Sequence, residues 1–168
     1  MTREAAVLVM VGVAVLILGL AAWGWWRRTR RDSGLTAPVG ELPERARIRA
    51  DVAGLYVATT AHGQPLERLA VRGLAFRSRA DLVVSEAGLA LDLTGKPRVV
   101  IARDRIIEVA QATVAIDRVV EKDGLVRLTW RVDDTTVDSY FRPQDRSSRS
   151  LTELISSTIT PIQTGTDV

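Results

Sequence analysis

Residues 125–142, LVRLTWRVDDTTVDSYFR, decide the fold. Leu125, Arg127, Thr129 and Arg131 alternate with Val126, Leu128, Trp130 and Val132. That two-residue period belongs to a strand with one face against a core. Asp133-Asp134 supplies a turn, and a second strand is expected over Thr136–Arg142. Upstream, Glu121-Lys122-Asp123-Gly124 reads as a hairpin turn in which the glycine accommodates a positive φ.

The pattern continues toward the N-terminus as short apolar runs broken by turn residues. Leu55–Thr60 is rich in Tyr, Val and Thr and stops at His62-Gly63-Gln64-Pro65. Arg68–Phe76 is expected as a strand with Leu69 and Val71 on a common side. Leu82–Ser85 and Leu89–Leu93, joined by Glu86-Ala87-Gly88, form a hairpin that Thr94-Gly95-Lys96-Pro97 ends. Arg98–Ala102 is a buried-type run, Ile106, Ile107 and Val109 begin another, and Thr113–Val120 alternates less cleanly. Glu44–Asp51 is compatible with either a short helix or a first strand.

The last element has a different period. Leu151, Leu154, Ile155 and Ile159 lie at helical spacing, and Pro161 forbids continuation. Ser150 and Glu153 fit a capping box, with the helix starting near Gln144. An amphipathic helix following about seven strands must cover an exposed part of their core.

The N-terminus obeys a third rule. Ala5–Trp26 is 22 residues without a charge, followed by Arg27, Arg28, Arg30 and Arg31. As a helix it would extend about 33 Å, against about 30 Å of bilayer hydrocarbon. Trp23, Trp25 and Trp26 stand where indole rings prefer the headgroup region. The expectation is one transmembrane helix within residues 1–31. A cleaved signal would have a shorter apolar run and small residues in place of WGWW. The arginine-rich flank places the N-terminus outside and the remainder in the cytoplasm, at the inner (plasma) membrane. Gly12 and Gly19, seven residues apart, would lie close to one helix face and could allow close packing of the span. Residues 32–43, with two prolines and two glycines, read as a linker, 44–160 as the domain and 161–168 as a flexible tail.

Charge narrows the function. Residues 1–31 carry five basic and one acidic side chain, whereas 32–168 carry 18 basic and 19 acidic ones. The domain therefore lacks the basic excess of a nucleic-acid reader, and no nucleic-acid partner is expected. The chain has no cysteine, which removes disulfide and thiolate chemistry. His62 is the only histidine, so a Ser–His–Asp arrangement would need it. Asp133, Asp134 and Asp138 lack the spacing of a calcium loop. There is no phosphate-binding glycine loop, zinc spacing or nucleophile elbow. No catalytic residue, metal or cofactor is expected.

The ordered set LVVSEAGLALDL, IARDRIIEV, GLVRLTW, VDSYF and LTELI resembles a bacterial pleckstrin-homology-like (PH-like) domain over Arg47–Ile159. With its N-terminal span, the arrangement resembles PH-like membrane proteins of actinobacteria. The resemblance implies a mainly β, partly open barrel of about seven antiparallel strands in two nearly orthogonal sheets, closed by the C-terminal helix. It also implies binding of lipids, peptides or protein surfaces. Phosphoinositide-binding members carry a basic cluster in the loop between the first two strands; here that loop, Ala61–Pro65, has only His62. Arg68, Arg72, Arg77 and Arg79 follow it as candidates for contact with anionic lipid or a partner. The expected function is a membrane-anchored, non-catalytic scaffold or regulator that binds a protein partner. Anionic-lipid sensing is the alternative, and a membrane-tethered enzyme is the alternative of a different class.

Overall fold

The computed structural model describes residues 3–32, 34–74, 76–115, 118–119 and 124–159, excluding the side chains of 3–6, 8, 25, 27–32, 114, 115, 118 and 119. The chain forms two compact units, 1–34 and 35–168. In the first, α1 (Arg3–Asp32) is a helix of 30 residues. Its described side chains are exposed, Met10 by 72%, Leu18 by 69%, Trp23 by 58% and Trp26 by 53%. A Cβ added at Gly12 or Gly19 would meet nothing within 4 Å.

Among the described residues, no helix is long and apolar enough to cross a membrane. The span expected over Ala5–Trp26 is therefore not established by the structure. The side chains of Trp25, Arg27, Arg28, Arg30 and Arg31 lie outside the described residues, as do the expected tail and turn residues 121–123.

The second unit contains β1 (Ile48–Ala61), β2 (Ser78–Ser85), β3 (Gly88–Leu93), β4 (Val99–Ala102), β5 (Ile106–Ala112), β6 (Val114–Ala115), β7 (Arg118–Val119), β8 (Leu125–Val132), β9 (Thr135–Pro143) and α2 (Ser148–Thr158). A 3-10 turn, Arg103–Arg105, joins β4 to β5. Seven strands make one antiparallel sheet in the order β4-β3-β2-β1-β9-β8-β5, and β6 and β7 pair separately. The hydrogen bonding is thus continuous, in place of two separate sheets. Fourteen-residue β1 makes the continuity possible. Its N-terminal part pairs with β2, its C-terminal part pairs with β9, and a bulge lies between Tyr56 and Ala58 in the β9 register. The extra residue bends the strand and increases its twist.

Sequence alternation becomes a buried face. Val126, Leu128, Trp130 and Val132 of β8 join Val137 and Phe141 of β9 in the main core. α2 covers this core with Leu151, Ile155 and the following Ile159, which are 0–1% exposed. Burial of each such side chain stabilises by about 1.5–3 kcal/mol. The helix cap differs from the expected one. Ser147 is the N-cap, its Oγ accepting the Ser150 N–H at 3.1 Å. Glu153 instead faces Arg149 one turn away, at 3.2 Å. The residue three after Ser147 is serine, so no reciprocal box can form.

Two further expectations change. Arg68–Phe76 is not a strand. It pairs only at Thr60↔Arg68 and Thr36↔Arg72 before Gly73 turns the chain at a φ of 96°. Leu69, Val71 and Leu74 are nevertheless buried. The expected linker is also partly built into the domain. Ala37 N–H donates to Arg72 O, Arg72 N–H to Leu35 O, Val100 N–H to Pro38 O and Gly40 N–H to Arg98 O, all at 2.8–3.2 Å. Ala37 is 1% exposed. Residues 35–40 are therefore a strap between the 71–73 segment and β4. They cover the edge of β4, which would otherwise present unpaired backbone groups.

Candidate functional site

The connection between β1 and β2, residues 62–77, carries the most unusual surface of the domain. Its base is anchored from within. Asp138, on β9 and 1% exposed, accepts a hydrogen bond from Thr129 Oγ1 at 2.6 Å and from the Gly63 N–H at 3.1 Å. His62 Nδ1 lies 3.1 Å from the same carboxylate. A buried carboxylate without such donors would be strongly disfavoured.

A second anchor lies on the core side. The Tyr56 hydroxyl donates to Leu74 O and lies 2.9 Å from Thr59 Oγ1. Thr59 Oγ1 meets Ser139 Oγ at 2.7 Å, and the Ser139 hydroxyl accepts from Trp130 Nε1 at 2.9 Å. This network ties the end of the 62–77 segment to β1, β8 and β9. Burial pushes the Tyr56 phenol well above its ordinary ionisation range. The Tyr140 phenol is also raised, first by burial and further by the nearby Asp138 charge.

On this fixed base, Leu66 and Phe76 are 71% and 72% exposed. Arg72, Arg77 and Arg79 are exposed as well. Arg68 has another role: it is only half-exposed, and its guanidinium donates to Val57 O at 3.0 Å. Three of the four arginines proposed from sequence therefore present themselves to solvent, while the fourth braces the segment against β1. The sequence reading missed Leu66 and Phe76. Their signal was available in two large apolar residues within a stretch rich in Gly, Pro and Arg.

The arrangement is poorly suited to hydrolytic chemistry. His62 does meet an aspartate, but Ser139 is the next residue on β9 and therefore points to the opposite face. Its hydroxyl is committed to Thr59 and Trp130. Asp133 and Asp134 form the exposed β8–β9 turn, where Asp133 adopts a φ of 50°. Among the described residues, no group of three or more His, Cys, Asp or Glu side chains could hold a metal ion.

No curated protein matches the chain. Among solved structures, it is similar to the C-terminal domain of an unknown protein from Leishmania infantum, at 9% identity and a TM-score of 0.43, over 82% of this chain and 97% of that one. The family model described as bacterial PH domain-like matches residues 36–155. That match begins within the strap and ends within α2, so it takes in the whole seven-stranded sheet. The chain belongs to the bacterial PH domain-like family.

Proposed function

We propose that this chain is a membrane-anchored, non-catalytic interaction module whose 62–79 segment rests on the anionic surface of the bilayer that holds α1. The exposure of Leu66 and Phe76 beside Arg72, Arg77 and Arg79 carries the proposal. Withdrawal of each apolar side chain from water is worth about 1.5–3 kcal/mol. Each arginine near an anionic leaflet adds about 1 kcal/mol. The gross attraction is then about 6–9 kcal/mol, before the cost of ordering side chains and lipid.

The anchor rests on the 22-residue uncharged run and its arginine flank. The same flank supports a plasma-membrane location with the N-terminus outside and the domain in the cytoplasm. Only Ser33 and Gly34 separate α1 from Leu35, whose carbonyl accepts from Arg72. A protein partner is the second reading, because Phe and Arg side chains are enriched at protein interfaces.

The test is flotation of residues 35–168 with neutral and anionic vesicles, at low and physiological salt. Binding is expected only to anionic vesicles and should weaken as salt screens the arginines. Phe76→Ser with Leu66→Ser, or Arg72→Gln with Arg77→Gln and Arg79→Gln, should each lower the floated fraction severalfold. A folded domain that floats with neither vesicle would reject lipid contact and leave the protein-partner reading.

A further inference from the structure

At the other end of β1, the β2–β3 turn, the 3-10 turn and the last turn of α2 border a solvent-open pocket of about 370 Å³. Its lining is Arg49, Glu86, Arg103, Leu154, Ser157 and Thr158. The volume is that of a small-molecule site. Backbone bonds hold the walls together: Glu86 N–H donates to Arg47 O at 3.3 Å, and Arg103 N–H to Ala87 O at 2.9 Å.

The available donors are the two guanidinium groups. Ser157 and Thr158 both donate their hydroxyl hydrogens to Leu154 O, at 3.0 and 2.7 Å. Ile159 N–H caps Ile155 O at 2.8 Å, which reduces the free carbonyl character of the helix end. Arg49 is paired with Glu86. Among the described residues, Arg103 has no carboxylate partner, and it is exposed. Among the described residues that line the pocket, two arginines and one glutamate leave one positive charge without a carboxylate partner.

We propose that the pocket is a binding site for a small monocarboxylate. A single negative charge neutralises it, whereas a phosphate monoester would overshoot. Guanidinium forks match the two oxygens of a carboxylate. Leu154, only half-buried, offers an apolar wall to a short hydrocarbon chain. Arg103 is the primary anchor. Arg49 joins it by exchanging Glu86 for the ligand. This site lies apart from the 62–79 segment and does not depend on how that segment is used.

The experiment uses the full chain in nanodiscs of neutral phosphatidylcholine. The Nε–H signals of Arg49 and Arg103 are followed by NMR during titration with butyrate, and compared with butyramide and inorganic phosphate at constant ionic strength. Butyrate should give saturable shifts at both arginines, and butyramide none. Arg103→Gln should weaken butyrate at least tenfold with its backbone spectrum otherwise preserved. Glu86→Gln should strengthen it severalfold, because Arg49 loses its internal competitor. Butyrate shifts no larger than those from chloride, phosphate binding tighter than butyrate, or unchanged affinity in Arg103→Gln would each overturn the proposal.

Discussion

The buried carboxylate of Asp138 accepts a hydrogen bond at 3.1 Å from the backbone N–H of Gly63, a residue 75 positions earlier in the chain. This bond holds the first turn of the exposed 62–77 segment against the middle of the sheet. Thr129 and His62 occupy the same carboxylate. The arginines and apolar side chains beyond therefore project from a braced base.

Asp138→Asn tests that brace. An amide offers one oxygen where the carboxylate has two, and turns an NH2 toward groups that donate. The expected cost is about 1–3 kcal/mol in chemical denaturation. Hydrogen exchange should accelerate at residues 62–77 more than in β2 or β3. Uniform acceleration would mean that Asp138 supports the whole fold and gives the segment no particular anchor.

The strap makes a second prediction. A chain beginning at residue 44 should be less stable than one beginning at 35 by about 3–5 kcal/mol, from four lost backbone hydrogen bonds at about 1 kcal/mol each and the uncovered Ala37 site. Thermal and urea unfolding of the two would decide it. Equal stability would restore the linker reading of residues 35–40.

The tyrosines make a pH prediction. Tyr56 and Tyr140 are the only two in the chain, and both are harder to ionise when folded. A raised pKa means that the folded state keeps its phenolic protons longer than the unfolded state. Their contribution is complete below the unfolded value near pH 10 and is lost as pH rises above it. Tyrosinate absorbance should therefore appear together with alkaline unfolding and not before it. Tyr56→Phe should flatten the fall in stability above about pH 10, while costing about 1–2 kcal/mol at neutral pH through its lost hydrogen bonds. Early tyrosinate absorbance from a fully folded chain would contradict the burial argument.

Much of the architecture was legible because local patterns carry it. The alternation at Leu125–Val132, the turns at Glu86-Ala87 and Asp133-Asp134, and the helical spacing of Leu151 and Ile155 each involve residues within a few positions of one another. Even there, capping misled: Ser147 and Ser150 are both serines near a helix start, and only the backbone geometry chose Ser147. Arg68–Phe76 misled for a related reason. Leu69, Val71 and Leu74 are buried, but Phe76 is exposed and Gly73 turns the chain where pairing would have to continue.

The sequence by itself determined the β character, the closing helix and the long uncharged N-terminal run, because periodicity and composition act over neighbouring residues. Tertiary structure alone decided that residues 35–40 form a strap, that Arg68 braces while Arg72, Arg77 and Arg79 face outward, and that Leu66 and Phe76 stay exposed. It also brought Arg49, Glu86 and Arg103 around one pocket. The reason is physical: each of these outcomes depends on which distant backbone or side-chain group becomes a neighbour once the sheet closes. No local periodicity encodes the meeting of Gly63 with Asp138, or of Leu35 with Arg72.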